Sequence, residues 1–198
     1  MKIVVNNYVT LDGVMQAPGH PDEDRRGGFE HGGWAAPYND EIMLGAAKEG
    51  MEKSGSLLFG RNTYEKMRAA WADQPDDNPF ANVLNNREKY VASRTLKEPL
   101  DWRNSTLLEG DAAGAVAELK KQPGKDIVIL GSGDLIGSLM QRDLIDEYVL
   151  LIHPVVVGGG RRLFPDDALL RALRLTNSVV TTTGVVIATY SASKEEDE

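Results

Sequence analysis

The stretch "LLFGRNTYEKM", from Leu57 to Met67, joins an apolar run to a helix-like pattern through a glycine and an arginine. Ser56 to Phe59 is predicted as a short buried strand, and Arg61 to Trp71 as a helix. A strand that ends on glycine before a basic helix start is either an ordinary turn or a place where an anion binds. This single junction does not decide between the two.

Two further predicted strands end in the same way. "YVASRT" ends a strand at residues 93–95, and "DIVILGSGDL" ends one at residues 131–133 before another helix. The carboxyl ends of parallel strands lie on one edge of a sheet, where open α/β folds bind ligands. Helix N-termini offer free N–H groups there, and glycine lets the backbone approach a phosphate closely. The three ends together therefore predict an anion-binding edge, with Arg61 and Arg94 as fixed positive charges.

Strands and helices alternate through the middle of the chain, which predicts an α/β fold with a mainly parallel sheet. The predicted strands cover residues 2–10, 56–59, 89–93, 105–109, 126–130 and 145–157, and the helices cover residues 40–53, 61–71, 112–121 and 135–142. Asn39 is predicted to cap the first helix. A closing antiparallel hairpin is predicted to turn near Gly184. We expect one domain over residues 1–198, with an acidic, disordered tail from about residue 192.

Composition excludes several classes of function. The net charge of −8 disfavours a nucleic-acid partner, and the absence of cysteine excludes disulfides, thiolate catalysis and cysteine-based zinc sites. No apolar run is long enough for a membrane span, and no pair of the three histidines has zinc-ligand spacing. We expect no metal, and a cytoplasmic protein because the N-terminus lacks the apolar segment of a signal peptide.

The segment "GSGDLI" is not the fingerprint of a Rossmann domain. Ile136 stands where the third glycine of G-x-G-x-x-G should be, and no acidic residue ends a following strand. A different arrangement of nucleotide-binding loops is therefore favoured.

The combination of "FGRNTYE", "SRT", "VILGSGDL" and "DEYVLLIHPVVVGGGRRLF" resembles the dihydrofolate-reductase-like superfamily. Within it, the chain is most similar to the RibD C-terminal reductases of riboflavin synthesis, over roughly residues 2–190. The resemblance implies a dihydrofolate-reductase-like fold, in which helices flank a central, mostly parallel sheet that ends in a C-terminal antiparallel hairpin. It also implies a homodimer and NADPH as the cofactor. The implied cofactor-binding residues are Gly60, Arg61, Asn62, Thr63, Ser93, Arg94, Thr95, Gly131, Ser132, Gly133, Asp134 and Leu135.

The family pattern implies a role for each of these loops. Arg61 would face the cofactor phosphates, and Ser93 and Arg94 would lie by the adenosine 2′-phosphate. The segment "GSGDL" would hold the pyrophosphate at the start of its helix.

Asp12 and Asp40 are the candidate catalytic residues, and Trp34 and Asp12 are the candidates for contact with the substrate. "TLDG" resembles the S-x-D-G stretch of the RibD reductases, which would place Asp12 near the nicotinamide; alternatively, Asp12 and Gly13 form a simple turn. Trp34 precedes Asp40 as a tryptophan precedes the acid in dihydrofolate reductases. Asp40 beside Trp34 could relay a proton, or it could simply favour the helix N-terminus. The long, glycine-rich loop over residues 16–39 is predicted to cover the substrate pocket, with Trp34 lining it.

The resemblance implies hydride transfer from NADPH to a C=N or C=O bond of a small heterocycle, such as a pteridine or an aminopyrimidine. True dihydrofolate reduction and a non-catalytic NADPH-binding module are the alternatives. We expect no N-terminal deaminase of the kind that full RibD enzymes carry, because its zinc site needs cysteines and the sequence has none. Outside the cofactor loops, Arg161 and Arg162 are the basic candidates for a ribose phosphate.

Overall fold

An eight-stranded sheet forms the centre of the computed structural model, which describes residues 1–75, 77–164 and 170–192. Its order is β4-β3-β2-β5-β1-β6-β8-β7. The strands are β1 Ile3–Thr10, β2 Ser54–Gly60, β3 Glu88–Ala92, β4 Ser105–Leu108, β5 Asp126–Leu130, β6 Glu147–His153, β7 Leu173–Val180 and β8 Val186–Ala192. Strands β1 to β6 pair in parallel, whereas β8 pairs antiparallel with both β6 and β7. The predicted fold class, including the antiparallel C-terminal hairpin, is confirmed.

In the described part of the chain, five α-helices cover the two faces of this sheet: α1 Glu41–Lys53, α2 Arg61–Trp71, α3 Pro79–Asn86, α4 Ala112–Lys121 and α5 Gly133–Met140. On one face, α4 and α5 pack against alternate buried strand residues such as Val5, Ile127 and Ile129. On the other face, α2 packs Tyr64 near Phe59, and α1 packs Met43 near Leu151. None of the helices within these described ranges is long and apolar enough to cross a bilayer.

The sequence predicts no helix between residues 71 and 112, whereas the structure has α3 there. Asn78 starts this helix, because its Oδ1 accepts hydrogen bonds from the N–H groups of Phe80 and Ala81. Pro79 occupies the first helical position, where its missing N–H costs nothing. The dipeptide Asn-Pro was therefore a usable start signal, hidden within a polar, proline-rich stretch.

Several predicted boundaries differ from the structure, and two of these differences have a clear physical cause. The cap of α1 is Asp40 and not Asn39, since Asp40 Oδ1 accepts the N–H of Met43 at 2.8 Å. Strand β6 ends at His153 and does not continue to residue 157, because Pro154 cannot donate to the ladder. The last predicted feature, the acidic tail, falls almost entirely on residues 193–198, outside the described residues; residue 192 itself belongs to β8.

Candidate functional site

The three predicted strand ends lie side by side. Strands β3, β2 and β5 are consecutive in the sheet and parallel, so their carboxyl ends share one edge. These ends open into a cavity of about 1580 Å³ that continues beneath α1. The edge predicted from the three sequence patterns is therefore a physical feature of the fold.

All twelve residues predicted to bind the cofactor line this cavity. They are Gly60, Arg61, Asn62, Thr63, Ser93, Arg94, Thr95, Gly131, Ser132, Gly133, Asp134 and Leu135. The structure thus brings together three segments that are distant in sequence, while their role in binding NADPH stays a prediction.

Ser132 joins the loops that follow β2 and β5. Its Oγ accepts the N–H of Gly60 at 2.8 Å, and its own N–H donates to Thr63 Oγ1 at 3.1 Å. On the other side, the N–H of Gly131 donates to Asn7 Oδ1 at 2.8 Å. Gly131 has a φ of 59°, and a Cβ there would lie 3.1 Å from Thr63 Oγ1. The close contact between the two loops therefore requires glycine at 131.

Helices α2 and α5 both begin at the cavity without a side-chain cap. Their first N–H groups, at Arg61 and Asn62 and at Gly133 and Asp134, lack the intrahelical partners that later residues have. Two uncapped N-termini at one edge create a positive potential suited to a pyrophosphate. The donor set therefore fits the phosphate part of a dinucleotide.

Arg94 brings a positive charge to this edge. It is exposed, lines the cavity and forms no ion pair with a described residue. Arg61, by contrast, lies 3.7 Å from Glu65, and Arg161 forms an ion pair with Asp134 at the start of α5. Ser93 shapes the turn that carries Arg94, because its Oγ accepts the N–H groups of Thr95 and Leu96.

The loop over residues 16–39 forms one wall of the cavity, while its role as the cover of a substrate pocket stays a prediction. Asp24 holds this loop in place through two ion pairs, with Arg26 at 2.5 Å and with Lys66 of α2 at 3.0 Å. The hydrogen bond from Arg26 holds the pKa of Asp24 well below its usual range. The ion pair with Lys66 therefore ties the loop to the helix that starts at Gly60.

Gln16 connects this wall to the loop after β6. Its Nε2 donates to the carbonyls of Asp24 and Arg26, while its Oε1 accepts the N–H of Arg161. Trp34 Nε1 donates to the Gln16 carbonyl at 2.8 Å. Sequence reasoning missed both Asp24 and Gln16, because partners so far apart leave no local pattern.

Trp34 does not line the cavity, contrary to the sequence prediction. Its ring is buried among Val14, Ala17 and Phe29 and packs edge-on against His153, with centroids 5.1 Å apart. The indole N–H already has its partner in Gln16. Trp34 therefore supports the loop from behind, and its neighbours Ala35 and Ala36 reach the cavity instead.

Asp12 and Asp40 both hold loops and neither lines the cavity. Asp12 accepts from Thr10 Oγ1 at 2.5 Å and from the N–H of Gly158 at 2.9 Å. Asp40 Oδ2 accepts the N–H and the hydroxyl of Thr182. These hydrogen bonds, led by those from Thr10 and Thr182, lower the pKa of each carboxyl. The catalytic role stays a prediction, and each position already has a structural explanation.

Beneath α1 the cavity becomes a groove against the sheet. The helix contributes Ala46, Ala47 and Gly50, and the apolar strand residues opposite include Val149 and Leu151. Asn6 and Tyr8 of β1 bring polar groups into this groove. The signal that could have found it is the pair Asn6-Asn7 inside the otherwise apolar strand "IVVNNYVT".

Among the residues that the structure describes, no group of three or more histidine, aspartate or glutamate side chains is placed to hold a metal ion. The cavity thus offers backbone donors, cations and an apolar groove as its binding chemistry.

Comparison with known proteins identifies the class to which this arrangement belongs. The family model of the RibD C-terminal domain matches residues 1–187, and the chain belongs to that family. Uncharacterized protein YyaP of Bacillus subtilis (strain 168) is 32% identical over 196 residues, which cover 96% of this chain and 94% of YyaP.

Two solved structures show the same fold. A putative riboflavin biosynthesis protein from Shewanella sp. PV-4 superposes with a TM-score of 0.75 at 23% identity, covering 98% of this chain and all (100%) of that one. A pyrimidine reductase-like protein from Corynebacterium diphtheriae gives a TM-score of 0.62 at 11% identity, covering 98% and 92%.

Proposed function

We propose that the protein is an NADPH-dependent reductase that transfers a hydride to a small heterocycle of the aminopyrimidine or pteridine kind. One observation carries the proposal: the three strand ends and the groove under α1 belong to one continuous cavity. A phosphate-binding edge that opens into an apolar groove suits a dinucleotide whose reactive end meets a flat ring. Membership of the RibD C-terminal family supports reductase chemistry.

The residues of the edge would hold and orient the cofactor. The N-termini of α2 and α5 would face its pyrophosphate, and Arg94 its additional phosphate. Bound NADPH would supply the hydride, and the protein supplies orientation and electrostatics. The bond between Ser132 and Gly60 keeps the two phosphate-facing loops at a fixed separation.

Reduction of a C=N or C=O bond also consumes a proton. Asp12 and Asp40 are the proposed donors from the sequence, yet their lowered pKa values leave them ionised at neutral pH. Tyr8 lines the groove, and burial raises the pKa of its hydroxyl. Tyr8 therefore keeps its proton and can donate a hydrogen bond to a bound ring.

Two measurements test the proposal and separate its rivals. Calorimetric titration should show NADPH binding tighter than NADH binding. NADPH oxidation, followed by its near-ultraviolet absorbance, should then be screened against aminopyrimidines, pteridines and dihydrofolate. Turnover of dihydrofolate alone would establish a dihydrofolate reductase. NADPH binding without oxidation across the panel would establish a binding module, and absence of NADPH binding would overturn the cofactor assignment.

We also infer a homodimer that pairs through β7. This strand forms hydrogen bonds to β8 on one side, and its other edge has no strand partner among the described residues. Leu175, Val179 and Val180 are exposed on it. An open strand of this length without lysine or proline favours pairing with an identical strand.

A further inference from the structure

His153 is a fully buried histidine at the carboxyl end of β6. Its Nδ1–H donates to the Leu151 carbonyl at 2.9 Å, so the neutral ring leaves Nε2 as a bare acceptor. This Nε2 has no hydrogen-bond partner in the described part of the chain. Because native proteins pair the great majority of their buried polar atoms, the exception at His153 needs an explanation.

Three aromatic rings pack against His153. The ring of Tyr8, on β1, has its centroid 5.2 Å away, and those of Trp34 and Tyr38 lie at 5.1 and 5.7 Å with nearly perpendicular planes. Trp34 and Tyr38 belong to residues 34–38 of the loop that forms the cavity wall, and the two alanines that follow Trp34 line the cavity. This short stretch, the gate segment, therefore covers His153 and bounds the cavity at the same time.

The surroundings of the ring offer no balancing negative charge. The ionisable groups in contact with it are the phenols of Tyr8 and Tyr38, and tyrosine hydroxyls are neutral below about pH 8. The carboxylates that follow β1 and the gate segment, Asp12 and Asp40, form hydrogen bonds to other groups. The end of β8 that faces this part of β6 is apolar. A proton on the closed-in ring of His153 would therefore be a buried charge without an ionic partner, which is costly.

The cost of burying this charge links protonation to exposure of the ring. Burial lowers the pKa of His153 from its ordinary value of 6.5, and this effect outweighs that of the Leu151 and Val9 carbonyls, which favour the charged form. Movement of the gate segment away from the ring admits water and returns the pKa toward 6.5. The closed arrangement is therefore fully favoured above about pH 6.5, and proton uptake favours the open arrangement as the pH falls below that value.

We propose that residues 34–38 are a pH-sensitive gate of the cavity, which opens when His153 takes up a proton and closes when His153 is neutral. Since one proton is bound on opening, the equilibrium constant for opening should rise by up to about tenfold for each pH unit below about 6.5. Opening removes part of the cavity wall and so gives ligands an entrance. Asp24 holds another part of this loop but is protonated only below pH 3.8, so the two pH ranges are distinct.

Hydrogen exchange at two indoles tests the gate within one protein. The indole N–H of Trp34 donates to the Gln16 carbonyl and should exchange when the gate opens. The indole N–H of Trp102 donates to Asn85 Oδ1 at 2.6 Å in a different core cluster, which makes it the internal reference. Exchange is followed by NMR without added ligand and is corrected for the pH dependence of free indole. From about pH 7.5 to about pH 5.5, the protection of Trp34 should fall about tenfold while that of Trp102 stays constant.

Two variants assign the effect to one histidine. His153→Asn keeps a nitrogen donor for the Leu151 carbonyl but lacks the nitrogen that titrates, so the protection of Trp34 should no longer depend on pH. His31→Asn is the matched control, because His31 is an exposed histidine of the same loop, and this variant should keep the wild-type dependence. Melting temperatures show whether each variant is folded, and the wild-type measurement tests the gate even where a variant is not.

Four results would overturn the proposal. They are constant protection of Trp34 in wild type, a parallel fall at Trp102, a pH dependence that survives in folded His153→Asn, and a dependence that disappears in His31→Asn. A parallel fall at Trp102 would show a loss of stability of the whole fold and not opening of a gate. Because no ligand is needed, none of these results depends on the proposed reductase function.

Discussion

Ser132 Oγ accepts the backbone N–H of Gly60 at 2.8 Å and so joins two loops that are 72 residues apart in sequence. Ser132 also has a left-handed backbone, with a φ of 63°. A serine in this conformation costs about 1 kcal/mol relative to glycine. The hydrogen bonds of the Ser132 hydroxyl with Gly60 and Leu130 therefore offset this strain in the free energy of folding.

Replacing Ser132 separates the hydroxyl from the backbone strain. Ser132→Ala loses the hydroxyl and keeps the strain, and should reduce the free energy of unfolding by about 0.5–1.5 kcal/mol. Ser132→Gly loses the hydroxyl but relaxes the backbone, so it should be less destabilised than the alanine variant. Urea unfolding of both proteins measures the difference. A glycine variant less stable than the alanine variant would contradict the account of strain.

Arg94 should determine the preference for NADPH over NADH. A charge-assisted hydrogen bond contributes about 1.5–3 kcal/mol, which is roughly 10- to 150-fold in affinity. Arg94→Ala should weaken NADPH by that factor and leave NADH nearly unchanged. Its NADPH affinity should also depend less on salt, because a screened charge pair has been removed.

Arg25→Ala is the control for this measurement, since Arg25 is an exposed arginine that pairs with Asp22 and does not line the cavity. Calorimetric titration of both cofactors on the three proteins decides the matter. Equal weakening of NADPH and NADH by Arg94→Ala would show that this arginine does not contact the distinguishing phosphate.

Asp24 should make the wall of the cavity sensitive to acid. Its pKa in the folded protein is lowered from the ordinary value of 3.8, so its contribution is complete above that pH and is lost as the pH falls through the lowered pKa. Asp24→Asn should cost about 1.5–3 kcal/mol at neutral pH. Its melting temperature should also fall less steeply than that of wild type below pH 3.8.

Asp22→Asn serves as the comparison for Asp24, because Asp22 belongs to the same loop but pairs with Arg25 at an exposed position. Exposed pairs contribute little, so this variant should follow the wild-type curve. Parallel acid titration curves for wild type and Asp24→Asn would show that the ion pairs with Arg26 and Lys66 do not set the acid stability.

The sequence was sufficient to predict the strand ends that line the cavity, but not the groove beneath α1 or the ion pairs that hold the cavity wall. Residues 60–63 and 131–135 were predictable because a strand end, a glycine and a helix start are adjacent in the chain. Asp24 and Lys66, by contrast, meet only in three dimensions. The position of Trp34 could not be predicted, because a large aromatic residue in a loop is compatible with a cavity wall and with a small satellite core. The structure places Trp34 in such a core, where its indole N–H donates to the Gln16 carbonyl.

Asp12→Asn distinguishes a structural from a catalytic carboxylate. The hydrogen bonds to Thr10 and Gly158 predict a lower melting temperature, because an amide is a weaker acceptor than a carboxylate. Turnover per folded molecule should change by less than about tenfold, whereas loss of a general acid costs roughly 10²–10⁴ in rate. A loss of that size, with the melting temperature unchanged, would instead establish Asp12 as the proton donor.

The edge of β7 should determine the oligomeric state. Val179 and Val180 are exposed, and pairing of this strand with its copy would bury them together with the free backbone groups of the edge. Val179→Lys places a charge on each side of a two-fold contact, where like charges repel. Light scattering after size exclusion should give a dimer mass for wild type and a monomer mass for the variant. Lys53→Ala, an exposed change on α1, should remain dimeric. A monomeric wild type, or a Val179→Lys protein that still elutes as a dimer, would show that β7 is not the contact.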